Sequence, residues 1–236
     1  MPPVISFIGW HNSGKTTLTS QVVAQLKDRG YTVAVIKSTK ETGIEIDQPQ
    51  TDTATYRRVG ADSVALLAPD QLIIRGKPPM IDLLALAHRY FFDMDIVIAE
   101  GFKYAAGVPK IEVRRGEESP LLRDEVDGVV AVATDRPLAD GIVFAIDQSR
   151  EIADFLEGRF LRDRKAHTAE ISLTINGACI PLPEPIRSQL ATTVHALLAP
   201  LQPSLHSGLE AHLNGVQGGG TIELTIHYPL PPENTP

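Results

Sequence analysis

Residues 4–17 read V-I-S-F-I-G-W-H-N-S-G-K-T-T, which sets Gly9, Gly14, Lys15 and Thr16 in the spacing G-x-x-x-x-G-K-T. That spacing suits the binding of phosphate. A loop that wraps phosphate oxygens approaches them with its backbone, and a side chain at Gly9 or Gly14 would stand in the way. Backbone N–H groups and the positive end of a helix dipole then face the anion. Lys15 reaches the β- and γ-phosphates of a nucleotide, and the Thr16 hydroxyl coordinates Mg²⁺. The pattern has meaning only between a strand and a helix. Both are written around it, as an apolar run from Val4 to Ile8 and as Leu18, Val22, Val23 and Leu26 at helical spacing.

A metal at such a site calls for an acid from a neighbouring strand. The run Ile96-Val97-Ile98-Ala99 ends in Glu100, which either holds Mg²⁺, directly or through water, or is an exposed acid at a strand end. Asp95, at the other end of the run, reads as solvated. Lys37 closes a second apolar run, V-A-V-I-K, and Asp47 and Asp52 lie in the polar segment from Ser38 to Thr53 that follows. A connection of that length is either functional or a solvated loop. Asp135 follows the run Val129 to Ala133. A carboxylate there either accepts from N1 and N2 of guanine or caps a turn; the string N-K-x-D that usually accompanies the first role is absent. The histidines have no metal-binding spacing. His11 points outward from the loop, His195 is structural, Trp10 packs or contacts a base, Cys179 belongs to a core, and Arg114-Arg115 either touches an anionic ligand or is a solvated pair.

These residues need a scaffold. The first ~165 residues alternate short apolar runs with helical patterns: Val33 to Lys37, Val64 to Leu67, Ile96 to Ala99, Lys110 to Val113, Val129 to Ala133 and Val143 to Ile146 as strands, with helices over Asp52 to Val59, Ile81 to Phe92 and Ser149 to Phe160. Continuous apolar strands between helices predict an α/β fold, a mostly parallel sheet with helices on both faces. Ligands of such sheets bind beyond the carboxyl ends of the strands, where Lys15, Thr16, Lys37, Glu100 and Asp135 fall. A charged stretch, Gly158 to Thr168, then marks a boundary. Beyond it residues 169–236 hold five acids and one base, Arg187, a net charge of −4. Asn176-Gly177 predicts a hairpin turn, Pro185 opens a helix, and Ile222, Leu224 and Ile226 alternate as a strand. The expected domains are 1–165, which binds nucleotide, and 166–236, a small α+β unit ending in a disordered tail from Pro229.

Composition limits the function classes. The formal charge of −7 over 236 residues argues against a nucleic-acid partner. A single cysteine excludes a disulfide framework or a cysteine-based zinc site within one chain, and suits a reducing cytoplasm. No apolar stretch approaches the ~20 residues of a membrane span, and the N-terminus has no basic segment ahead of its apolar run, so no signal peptide is expected.

Taken together, the strings F-I-G-W-H-N-S-G-K-T-T (7–17), V-I-K-S-T (35–39), I-D-Q-P-Q-T-D-T (46–53), R-R-V-G-A (57–61), D-I-V-I-A-E-G-F-K (95–103), P-K-I-E-V (109–113) and V-V-A-V-A-T-D (129–135) resemble the molybdopterin-guanine dinucleotide biosynthesis accessory family, MobB. The resemblance covers about residues 1–165, and E-G-F-K with P-K-I-E-V is its most specific part. It implies a P-loop NTPase-like, GTP-binding protein, usually a homodimer, with weak GTPase activity. It also implies a role in assisting the guanylyltransferase that joins GMP to molybdopterin, or another molybdoenzyme maturation partner. Carried over by match, Gly9, Asn12, Ser13, Gly14, Lys15, Thr16 and Thr17 hold the phosphates of GTP. Thr16 and Glu100 hold Mg²⁺, Lys15 and Glu100 serve any hydrolysis, and Asp135 reads the base. The chain departs from the family where histidines after the K-x-T string are replaced by Ser38, Lys40 and Glu41, and where the lysine of G-K-D-S is missing from Gln50 to Thr53.

Two other functions fit the same residues. A small-molecule kinase would use Asp47 or Asp52 as the base for its acceptor. A nucleotide-gated docking or dimerisation module would act mainly through residues 169–236.

Overall fold

The computed structural model describes residues 1–44, 50–77, 81–116, 120–162, 173–175 and 178–198. In chain order its elements are β1 (Val4–Ile8), α1 (Lys15–Asp28), β2 (Val33–Lys37), α2 (Asp52–Arg58), β3 (Ser63–Leu67), β4 (Leu72–Gly76), α3 (Leu83–Tyr90), β5 (Ile96–Glu100), β6 (Lys110–Arg114), β7 (Val129–Thr134), β8 (Val143–Ala145), α4 (Ser149–Leu156), β9 (Leu173–Ile175), β10 (Ala178–Ile180) and α5 (Glu184–Leu198). The chain divides into two compact units, Met1–Ser38 with Ile81–Pro236, and Thr39–Met80.

The first unit is built on a six-stranded sheet of order β2-β5-β1-β6-β7-β8 in which every pair is parallel. The strands alternate their side chains between two cores, as pleating requires. Ile5, Phe7, Ile96, Ile98, Ile111 and Val113 face α1 and α4, meeting Leu18, Val22, Leu26, Ile152 and Leu156. Val4, Val97, Ala99, Ala34 and Ile36 face α3 through Leu83 and Ala87. Burial on both faces is why β1 and β5 read as unbroken apolar runs. Each large aliphatic side chain so buried contributes roughly 2 kcal/mol.

The expected scaffold needs two corrections. The run Val64 to Leu67 is no part of the main sheet. As β3 it pairs antiparallel with β4, a strand not anticipated, around a turn in which Ala68 N–H donates to Gln71 O over 2.9 Å. Strands and helices also fail to alternate after β5. The chain returns to β6 through an irregular loop, and the described residues between β6 and β7 hold a 3₁₀ turn, Leu122–Asp124. The helix expected over Ser149 to Phe160 is α4 continued by a π-helical turn, Glu157–Leu161. Phe160 packs against the core and Leu161 is buried in it.

Beyond that turn, β9 and β10 pair antiparallel, Ala178 opposite Ile175, as the hairpin reading requires. The tip residues Asn176-Gly177, the boundary residue Lys165, the strand at Ile222 and the tail from Pro229 lie outside the described residues, as do Asp47 and most of the 166–236 unit. The hairpin sits on α3. Cys179 N–H donates to Asp82 Oδ2 over 2.9 Å, and the Cys179 Sγ lies 3.5 Å from His88 Nδ1. Among the described residues no helix is long and apolar enough to cross a membrane.

Candidate functional site

The carboxyl end of β1 runs into the loop Gly9–Gly14, which opens α1. Gly14, at φ +89°, caps the helix with backbone alone, without a side-chain cap, and the first turn holds no acid. The donors at a helix start lack intrahelical partners, so this end is open to an anion. A Cβ on Gly9 would collide with the Val113 carbonyl and the Ser13 hydroxyl, which explains the glycine there. Asn12 holds φ +58°, a left-handed conformation that asparagine tolerates better than most residues. Lys15 folds back over the loop, its ammonium donating to the Trp10 carbonyl at 2.5 Å with Ser13 Oγ at 3.4 Å. Burial holds the Lys15 ammonium below the usual lysine value; Glu100 opposes that shift and Lys37 adds to it.

Glu100 reaches the same place through sheet order. β5 lies beside β1 with Glu100 opposite Phe7, so its carboxylate emerges at the loop. It is 8% exposed, not a solvated strand end. Thr16 Oγ1 donates to Glu100 Oε1 over 2.7 Å. Lys37, at the end of β2, is opposite Glu100 on the other side and puts its ammonium 3.0 Å from the same oxygen. The chain leaves Glu100 through two left-handed residues, Gly101 at φ +97° and Phe102 at φ +53°. A Cβ on Gly101 would stand 3.1 Å from the Ser38 Cβ. Gly101 N–H donates to Phe7 O, and Ser6 Oγ to Gly101 O, which fastens this turn to β1. Strained backbone is common where a fold fixes functional groups.

Among the described residues no cluster of three His, Cys, Asp or Glu could hold a metal ion. Among the described residues, the Thr16 hydroxyl and the Glu100 carboxylate are oxygen donors that meet at the loop. Such oxygen donors suit Mg²⁺ sites that are completed by phosphate and water.

Asp135 lies at the same edge of the sheet, two strands from β1, just beyond β7. It is exposed, and its Oδ1 accepts from Gly116 N–H over 2.9 Å. His11 is exposed, as expected. The Trp10 indole N–H donates to the Pro120 carbonyl at 2.9 Å, and the Lys103 ammonium stands 4.7 Å from its ring centre.

Several assignments change. Asp95 is no loose acid: its Oδ2 accepts from both Thr32 N–H and Thr32 Oγ1, tying the starts of β2 and β5 together. Arg115 projects over the Gly9–Gly14 loop, with its Nε 3.0 Å from where a Gly14 Cβ would lie. The basic pair at 114–115 was the only local signal for it. Lys110 and Glu112, from the most specific motif, are structural clamps. Buried Lys110 donates to the carbonyls of Ala105, Val108 and Asp127 at 2.8, 3.1 and 2.8 Å. Glu112, fully buried, accepts from Leu122 N–H at 2.9 Å and Arg123 N–H at 3.0 Å.

Comparison with known proteins agrees with this architecture. The profile of the family described as MobB, molybdopterin guanine dinucleotide synthesis protein B, matches residues 4–135. The molybdopterin-guanine dinucleotide biosynthesis adapter protein of Haemophilus influenzae is 33% identical over 159 residues, covering 66% of this chain and 88% of that protein. The adapter protein of Escherichia coli is 30% identical over 166 residues, covering 66% and 92%. A crystal structure of molybdopterin-guanine biosynthesis protein B aligns with a TM-score of 0.53 at 28% identity, over 66% of this chain and 97% of that one. The MobB homolog from Bacillus stearothermophilus gives 0.50 at 25% identity, over 66% and 97%. With the loop, the strand order and these relatives in agreement, the chain belongs to the MobB family.

Proposed function

We propose that this chain is a GTP-binding adapter of molybdenum-cofactor maturation that assists the guanylyltransferase joining GMP to molybdopterin. The observation that carries this reading is the convergence of Lys15, Thr16 and Glu100 on the mouth of a backbone-capped helix, in a chain of this family. Gly9, Asn12, Ser13, Gly14, Lys15, Thr16 and Thr17 cradle the phosphates, and Arg115 lies near enough to add a cation over the loop. Thr16 and Glu100 hold Mg²⁺, which when bound neutralises charge on the phosphates. Glu100 is engaged by Thr16 and Lys37 and is not a free base for activating water, so hydrolysis is slow. Asp135 reads guanine; because Gly116 already holds one of its oxygens, recognising both base donors means sharing that bond.

The protein acts in the cytoplasm as a homodimer. The hairpin β3–β4 supports this, since it exposes Leu67, Leu72 and Ile74 on a two-stranded sheet. Two strands alone are marginal in water. Residues 166–236 stand apart from nucleotide chemistry, so a chain ending after Lys165 keeps nucleotide binding and loses self-association or partner capture. Titration with GTP and ATP, with and without Mg²⁺, followed by capture of purified guanylyltransferase in each nucleotide state, tests the reading. Nucleotide-independent capture contradicts the adapter role, and acceptor-dependent consumption of ATP points instead to a kinase.

A further inference from the structure

The Lys37 ammonium lies 3.0 Å from Glu100 Oε1 and 3.4 Å from Thr16 Oγ1, and those two oxygens are 2.7 Å apart. A cation of the protein's own thus stands on the same two oxygens that a divalent ion would use. The arrangement is built into the sheet. Lys37 is opposite Glu100 in the β2–β5 pairing, and Ser38 N–H donates to the Glu100 carbonyl over 2.9 Å. The backbone is therefore fixed, whereas the Lys37 side chain is 56% exposed and on a flexible stem. Its base is held and its head is free to leave.

We propose that Lys37 is a tethered competitor of the divalent metal. It neutralises Glu100 and excludes the metal until a nucleotide arrives, and the incoming phosphates give the ammonium another anion to pair with. Two cations cannot share one carboxylate oxygen without strong repulsion at these distances. Metal entry and nucleotide entry are thereby coupled through one side chain. Any ligand that shifts this balance does so through its different affinity for the two arrangements. The proposal rests on the phosphate-loop reading above.

The test uses the full chain and reads binding. Mn²⁺, a probe whose free ion is counted by electron paramagnetic resonance, is titrated into nucleotide-free protein. GTP is titrated separately in the presence of a chelator. Lys37→Met tightens Mn²⁺ binding about fivefold and weakens metal-free GTP binding about fivefold, a size fitting a partly exposed ion pair. Lys37→Arg keeps the charge and keeps the metal out. Lys103→Met removes an equal charge beside Trp10 and leaves Mn²⁺ affinity as it was.

Unchanged Mn²⁺ affinity in Lys37→Met overturns the proposal. So does an equal gain in Lys103→Met, which would mean a general field rather than competition at one carboxylate. Lys15→Ala separates the two claims. GTP binding that survives Lys15→Ala overturns the phosphate-loop reading and the competitor with it. GTP binding lost in Lys15→Ala, with Mn²⁺ unmoved in Lys37→Met, overturns the competitor alone.

Discussion

The Thr16 hydroxyl donates to Glu100 Oε1 at 2.7 Å although the two residues are 84 positions apart in the chain. Only the adjacency of β1 and β5 brings them together. Glu100→Gln keeps the shape and removes the charge that a divalent ion needs. Mg²⁺-dependent GTP hydrolysis falls at least tenfold in this variant, while GTP binding without Mg²⁺ changes little. Single-turnover hydrolysis beside a metal-free titration checks this. Normal hydrolysis would move the acid role away from Glu100.

The proposed role of Asp135 is to read the base. Wild-type protein prefers GTP to ATP, and Asp135→Asn erases the preference, because an amide presents one acceptor where guanine offers two donors. Competition of GTP and ATP for a fluorescent nucleotide measures both. Equal affinity in the wild type contradicts the assignment.

Glu112 tests the claim that the most specific motif is architectural. Glu112→Leu leaves the N–H groups of Leu122 and Arg123 without their acceptors. Each such loss costs about 1–3 kcal/mol, so stability falls by roughly 3 kcal/mol. Urea unfolding shows a lower midpoint with an unchanged slope. A stability loss below ~1 kcal/mol would mean that these groups find other partners.

His88 predicts an acid limit. Burial, helped by the N-terminal charge and opposed by Asp82, lowers its pKa from 6.5 to about 4. Between those values the unfolded chain takes up a proton that the folded chain does not. The contribution is therefore neutral above about pH 6.5 and increasingly destabilising as pH falls toward about 4. His88→Gln removes this loss, so the stability gap between wild type and variant shifts in the variant's favour across that window. Parallel pH profiles would contradict it.

Which parts of this were legible in the sequence follows from how local each signal is. The strand, loop and helix around Lys15 are contiguous, so periodicity and motif coincide. Glu100 was legible as an acid closing an apolar run, although nothing local says that its run lies beside β1. The position of Lys37 on Glu100 and of Arg115 over Gly14 depends on strand order, which one sequence does not encode locally. β4 escaped because its side chains are mostly exposed, so its apolar residues do not mark a core. Its turn, Pro69-Asp70, carried the one local clue. Lys110 and Glu112 stood out as a motif, but their work is to hold loop carbonyls and amides that no pattern announces.

The most direct test of the central claim is the affinity of Lys15→Ala for GTP in the presence of Mg²⁺, measured calorimetrically on protein shown to be folded. Lys15 is the charge placed within the loop, and charge-assisted contacts to phosphate are worth roughly 1.5–3 kcal/mol. The account predicts at least a tenfold loss of GTP affinity with the unfolding midpoint of the nucleotide-free protein preserved. Unchanged GTP affinity in the folded variant would contradict it, because the nucleotide would then bind elsewhere.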